Sequence, residues 1–125
     1  MIGTVFKYRR MGWSWRESLR AGPRAAFAKV PGLTLLDYPA DRVSSCWFFT
    51  VLVPQRENFV RALQSRGVPS SVVHQRIDRN AIFGGPDRDL VNQNHFDEHQ
   101  IALPVHVGLT DADMEQVITA VQVGW

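Results

Sequence analysis

His74, Gln75, Arg76, Asp78 and Arg79 place five polar or charged side chains within six residues, with only Ile77 apolar among them. They end a stretch, residues 68–77, in which Val73, Gln75 and Ile77 alternate with Val72, His74 and Arg76. That period of two is the period of a β-strand. A loop at a strand end can aim polar groups at a ligand. Arginine there suits a phosphate or carboxylate, which its planar guanidinium grips as a fork. The same residues also suit a solvated strand end closed by a local Arg–Asp pair, and residue types alone leave both readings open. His74, Gln75, Arg76 and Asp78 are the candidate binding residues, and no catalytic residue is assigned.

The remaining reactive side chains suggest less. His95 and His99 are four apart, which on a helix puts both on one face, with Asp97 and Glu98 between them. The order His-Phe-Asp-Glu-His departs from the His-Glu-x-x-His of zinc proteases. A zinc site also wants a third ligand and supporting outer groups. A polar helix surface is the simpler reading, so no metal site is assigned. Cys46, the single cysteine, begins the most apolar stretch of the chain, where burial raises a thiol's pKa and quenches its reactivity. Gly84-Gly85 is too short for a phosphate loop and reads as a turn. Lys7 and Lys29 are the only lysines, and neither sits in a setting suited to a Schiff base.

The elements that must position these groups are organised around residues 46–53, Cys-Trp-Phe-Phe-Thr-Val-Leu-Val. Eight residues, aromatic or β-branched for the most part and stopped by Pro54, predict a strand. Both of its faces are apolar, which predicts a central strand covered on both sides. Residues 54–66 predict an amphipathic helix, with Phe59, Val60 and Leu63 on one face and Gly67 as a left-handed cap. The stretch 68–77 predicts a second strand, followed by the turn at Gly84-Gly85-Pro86. Residues 87–99 predict a loop and a short helix capped by Asn92 or Asn94. Residues 101–105 predict a third strand with Pro104 at an edge or end. Thr110 opens the last helix, where Met114, Val117, Ile118 and Val121 form an apolar stripe and Asp111 and Asp113 favour the positive end of the dipole. Earlier, Val5–Tyr8 predicts a short strand, Ser14 caps a helix from Trp15, Gly22-Pro23 breaks it, and 24–30 is a further helical stretch. Trp13 and Trp15 are expected to cover apolar surface. The order predicts an α/β (α+β) two-layer sandwich: a small, mainly antiparallel sheet with helices on one face.

At 125 residues the chain is one domain's worth of protein, able to sustain a core without disulfides. No apolar run approaches ~20 residues, so no membrane span is expected. The basic N-terminus has no apolar core of a secretory leader, and a single cysteine suits a reducing compartment, so a cytoplasmic location is expected. The net charge of +2 comes from an early basic excess, with Lys7, Arg9, Arg10, Arg16, Arg20, Arg24 and Lys29 facing only Glu17 before Asp37. No nucleic-acid-binding motif accompanies that excess, so nucleic acid is not an expected partner.

Several stretches together resemble the C-terminal small domain of the DegT/DnrJ/EryC1/StrS aminotransferases, pyridoxal-phosphate (PLP) enzymes that aminate nucleotide-linked keto sugars. They are Val30-Pro31-Gly32-Leu33, Ser44-Ser45-Cys46-Trp47-Phe48-Phe49, Arg61-Ala62-Leu63 through Ser70, Val73-His74-Gln75-Arg76, and Ile101 through Thr110. The resemblance covers residues 30–125, with 1–29 as an N-terminal helical or irregular extension, and implies the small domain of a fold type I PLP enzyme. It places His74-Gln75-Arg76 near a substrate cleft, with Ile77 where relatives often carry a polar residue. The family's cofactor lysine, phosphate-binding residues and pyridinium-pairing carboxylate belong to its larger domain and have no counterpart here. The resemblance therefore implies a chain that binds no PLP and does not transaminate alone, since PLP chemistry starts from a lysine aldimine.

Two functions follow as expectations. One is a non-catalytic binding or oligomerisation module, a homo-oligomer retaining affinity for a sugar nucleotide. The other is a subunit that completes a PLP-dependent nucleotide-sugar aminotransferase with a separate large-domain chain.

Overall fold

The computed structural model describes residues 15–41, 47–106 and 108–125, with side chains from Ala21 onward. The expected strand at Val5–Tyr8, the Ser14 cap, Trp13, the side chain of Trp15, and Cys46 lie outside the described residues.

Helix α1 is Trp15–Phe27 and strand β1 is Thr34–Leu35. Strand β2 is Phe49–Leu52 and helix α2 is Arg56–Ser65. Two 3-10 turns, Ile77–Arg79 and Ala81–Phe83, precede helix α3, Val91–His99. Strand β3, Gln100–Leu103, follows without a loop, and helix α4 is Asp111–Gln122. The strands form an antiparallel sheet in the order β1-β2-β3. Val51, at the centre, stands opposite Leu35 on one side and Ile101 on the other. The α/β sandwich and its antiparallel sheet are thus as the sequence predicts.

The period-2 pattern of β2 explains its placement. Phe49, Val51 and Val53 all point into the core, where Phe27 of α1, Phe59 and Leu63 of α2, and Met114, Val117, Ile118 and Val121 of α4 join them. The opposite face differs from expectation. Phe48, Thr50 and Leu52 are only half-buried, and Trp47, which the alternation groups with Phe49 and Val51, precedes the strand and is 69% exposed. The buried residues of α1, α2 and α4 all join the face of β2 that carries Val51, which leaves the second face short of cover.

Three further expectations are corrected. First, the helix break at Gly22-Pro23 is absent, and α1 runs through Pro23. A proline in a helix interior costs about 3 kcal/mol. One turn later Phe27 is buried edge-on against Phe49, centroids 5.7 Å apart, and burying a phenylalanine is worth about 1.5–3 kcal/mol. The amide of Gln122 on α4 also donates to Ala26 O at 3.2 Å, so packing against the core holds the helix together.

Second, residues 68–77 form no strand beyond a single bridge, Ser71 to Ala102. After that bridge the side-chain amide of buried Gln100 donates to His74 O at 2.7 Å, in place of a backbone ladder bond, and the chain turns away. Third, Asn94 does not cap α3. It lies inside the helix, where its Nδ2 donates to Arg88 O at 3.1 Å, and the N-cap residue is Leu90, with no side-chain cap bond.

The helix ends of α2 and α4 follow the sequence. Gly67, at φ 73°, gives α2 its left-handed exit. Thr110 and Asp113 form a capping box: Thr110 N donates to Asp113 Oδ2 at 2.7 Å, and Asp113 N to Thr110 Oγ1 at 3.2 Å. Arg66 then ties the two helices together by donating to Ala120 O at 2.6 Å and Gly124 O at 2.7 Å.

Candidate functional site

The polar cluster sits where the chain leaves the sheet. Arg76 turns its guanidinium back on its own loop. Nε donates to Asp78 Oδ1 at 2.6 Å, and Nη2 donates to Asp78 Oδ2. Nη1 donates to Asn94 Oδ1, and Nη2 also reaches Asp87 O at 3.3 Å. The side chain is 6% exposed. Asp78 in turn accepts from Asp87 N at 3.2 Å. Arg76 therefore acts as a clasp rather than an open fork: it folds residues 77–91 back onto α3.

Arg79 makes a second tie, donating to Asp97 Oδ2 at 2.6 Å. Asp97 is buried while Arg79 is half exposed, so part of that guanidinium faces solvent. Arg56 of α2 donates to the backbone carbonyl of Asp97 and, at 3.4 Å, to that of Gln100. His74 and Gln75 are exposed. The ring of His74 stands edge-on to Phe48 at 5.7 Å and to Trp47 at 6.4 Å. Trp47 and Phe48 themselves stack at 4.6 Å with 25° between planes. Beside them is a hollow of about 280 Å3 whose walls include Phe48, Ser70, Ser71, Val73, Leu103 and His106. Ser70 Oγ is buried there, with no hydrogen-bond partner among the described residues.

Of the four candidate residues, Arg76 and Asp78 are brought together and bound to each other, while His74 and Gln75 point outward beside an aromatic shelf. Chemically, this surface combines an exposed aromatic face with a histidine edge and a half-exposed guanidinium. An exposed indole with a histidine at its edge suits a planar or sugar ring, and the free part of Arg79 suits an anion. The apolar character of Trp47 and Phe48 predicts strand core, whereas the structure leaves Trp47 exposed and Phe48 half-buried, stacked on each other. Asn94, Asp87 and Asp97 gave no signal, because their roles depend on a loop closing across 9–18 residues.

The ion pair sets a pH dependence. The hydrogen bond from Arg76 holds the Asp78 carboxyl below its ordinary value, and the hydrogen bond from Thr110 does the same for Asp113. A depressed folded-state pKa means stability present above the ordinary carboxylate range, near pH 4, and lost as pH falls through the folded value. Urea unfolding across a pH series is expected to show a flat plateau from neutral pH to about 4 and a decline below. Asp113→Asn should reduce the slope of that decline.

PLP, the cofactor of the enzymes that the sequence resembles, is poorly matched by these residues. Lys29, the one lysine among the described residues, is exposed on the turn after α1 and lines neither the hollow nor the polar cluster. Arg76 is closed on Asp78 and offers no open fork to a phosphate. Among the described residues no group of three or more His, Cys, Asp or Glu is gathered to hold a metal ion, and no helix is long and apolar enough to cross a membrane.

The three-stranded antiparallel sheet backed by helices is a small α/β unit that this chain shares with aminotransferases of known structure. Residues 14–122 match the DegT/DnrJ/EryC1/StrS aminotransferase family, and the chain belongs to that family. Its fold is similar to that of the sugar aminotransferase CalS13 from Micromonospora echinospora, with a TM-score of 0.82 and 24% identity over 88% of this chain and 30% of that one. AtS13 from Actinomadura melliaura matches with a TM-score of 0.81 and 27% identity, over the same shares. DesV of S. venezuelae, solved with a ketimine intermediate, matches with a TM-score of 0.78 and 21% identity over 86% of this chain and 30% of that one. The chain thus spans about 30% of the length of these structures. Among curated proteins no match is found.

Proposed function

We propose that this chain is a non-catalytic binding and assembly module of the sugar-aminotransferase family. The observation that carries the reading is a set of exposed apolar side chains on the clasped loop, Ile77 at 71%, Ile82 at 86% and Phe83 at 59%, with Val91 at 70% at the start of α3. Apolar surface of this kind, held in shape by Arg76 and Arg79, is what a protein partner buries. The partner is a second copy, giving a homo-oligomer, in a cytoplasmic setting. His74, Gln75 and the shelf of Trp47 and Phe48 supply residual affinity for a sugar nucleotide, with Arg76 and Asp78 fixing the loop behind them.

A second reading is favoured by the 30% coverage of the related enzymes: a large-domain chain of the same family takes that surface and completes a PLP-dependent enzyme. Absorbance with added PLP separates the two. The chain alone is expected to give no aldimine band and no amine transfer. A band appearing only with a large-domain chain supports the second reading, and turnover by the chain alone contradicts both.

A further inference from the structure

We propose that His95 and His99 on α3 form a two-imidazole site for a divalent transition-metal ion of the copper, nickel or zinc type. This goes beyond the family reading and does not depend on it. The sequence shows only that the two histidines share a helix face; the structure adds their ring geometry and tautomer. The imidazoles lie one turn apart with centroids 4.3 Å from each other and planes tilted by 31°. His99 Nδ1 is 2.7 Å from the backbone carbonyl of His95. A carbonyl can only accept, so Nδ1 carries the proton and the Nε2 lone pair of His99 is free. Metal-ligating histidines are commonly held in this way, one nitrogen donating to a carbonyl while the other binds.

The surroundings suit a cation. His95 is exposed and His99 half-buried, so an ion can reach them. Asp97, between them in sequence, is buried and committed to Arg79, which leaves it out of the ligand set. Exposed Glu98, next to His99 in sequence, is on the rim of a neighbouring cleft of about 340 Å3 that Arg56 and Glu57 also line, and Glu57 is paired with Arg61, so the imidazoles alone carry the site. With two protein ligands, the remaining coordination positions fall to water. Imidazole ligands and the order of divalent affinities make copper(II) the strongest candidate.

The test uses copper(II) alone with the full chain, followed by calorimetry and electron paramagnetic resonance. One ion per chain is expected, with hyperfine splitting from two nitrogens. His95→Gln and His99→Gln should each weaken binding by about 10- to 100-fold, the scale seen even for outer-shell partners of a metal. Both positions lie on the helix surface, and far-ultraviolet circular dichroism checks that the fold is kept. His74→Gln and His106→Gln should leave affinity unchanged. Full affinity in either α3 variant, or equal losses across all four histidine variants, would overturn the site.

Discussion

Phe59→Ala is expected to cost about 3–5 kcal/mol, the range for removing a buried phenylalanine and leaving a cavity. Phe59 is fully buried between the sheet and α4, and its ring meets that of Trp125 at 4.7 Å and 85°. A domain of this size has a total stability of about 5–15 kcal/mol, so the variant sits near the edge of folding. Urea denaturation should show an early midpoint with an unchanged slope. Trp125→Ala should cost less, because Trp125 is half-buried and closes the edge of the core rather than filling it. A smaller loss for Phe59→Ala than for Trp125→Ala would mean that the centre of the core has been misplaced.

Ile82→Asp combined with Phe83→Asp should have the opposite character: little change in folding and a large change in association. Both side chains are exposed and make no contribution to the buried core. Burying a large apolar side chain at an interface is worth about 1.5–3 kcal/mol, so losing two should weaken self-association by about 100-fold or more. The variant should keep the urea midpoint of the parent at low concentration, where the parent is also dissociated. A variant that associates as strongly as the parent would place the interface elsewhere.

Much of this architecture was legible because it rests on local chemistry. The strand at Phe49–Leu52 follows from a short apolar run stopped by Pro54. The last helix follows from the stripe of Met114, Val117, Ile118 and Val121 behind the Thr110 cap. What was not legible depends on distant partners. Pro23 reads locally as a break, yet α1 is kept by Phe27 meeting Phe49. The alternation after Val68 reads as a strand, yet Gln100, some 26 residues from His74 along the chain, diverts it. Of the polar cluster, the structure brings Arg76 and Asp78 together and leaves His74 and Gln75 exposed. Whether Arg76 grips a ligand or its own loop depended on Asp78, Asn94 and Asp87 closing around it, and period and composition do not encode that closure.

The clasp also links structure to the proposed role. Arg76 and Arg79 hold Ile77, Ile82 and Phe83 outward on an ordered loop, so the apolar surface is presented ready-made rather than ordered on binding. Pre-ordering lowers the entropic cost of association.

The central claim, that this chain works by association through its clasped loop, is tested most directly by sedimentation velocity of the unmodified protein from low to high micromolar concentration. The account predicts a reversible shift from monomer to a defined oligomer across that range. A single monomeric species at every concentration would contradict it.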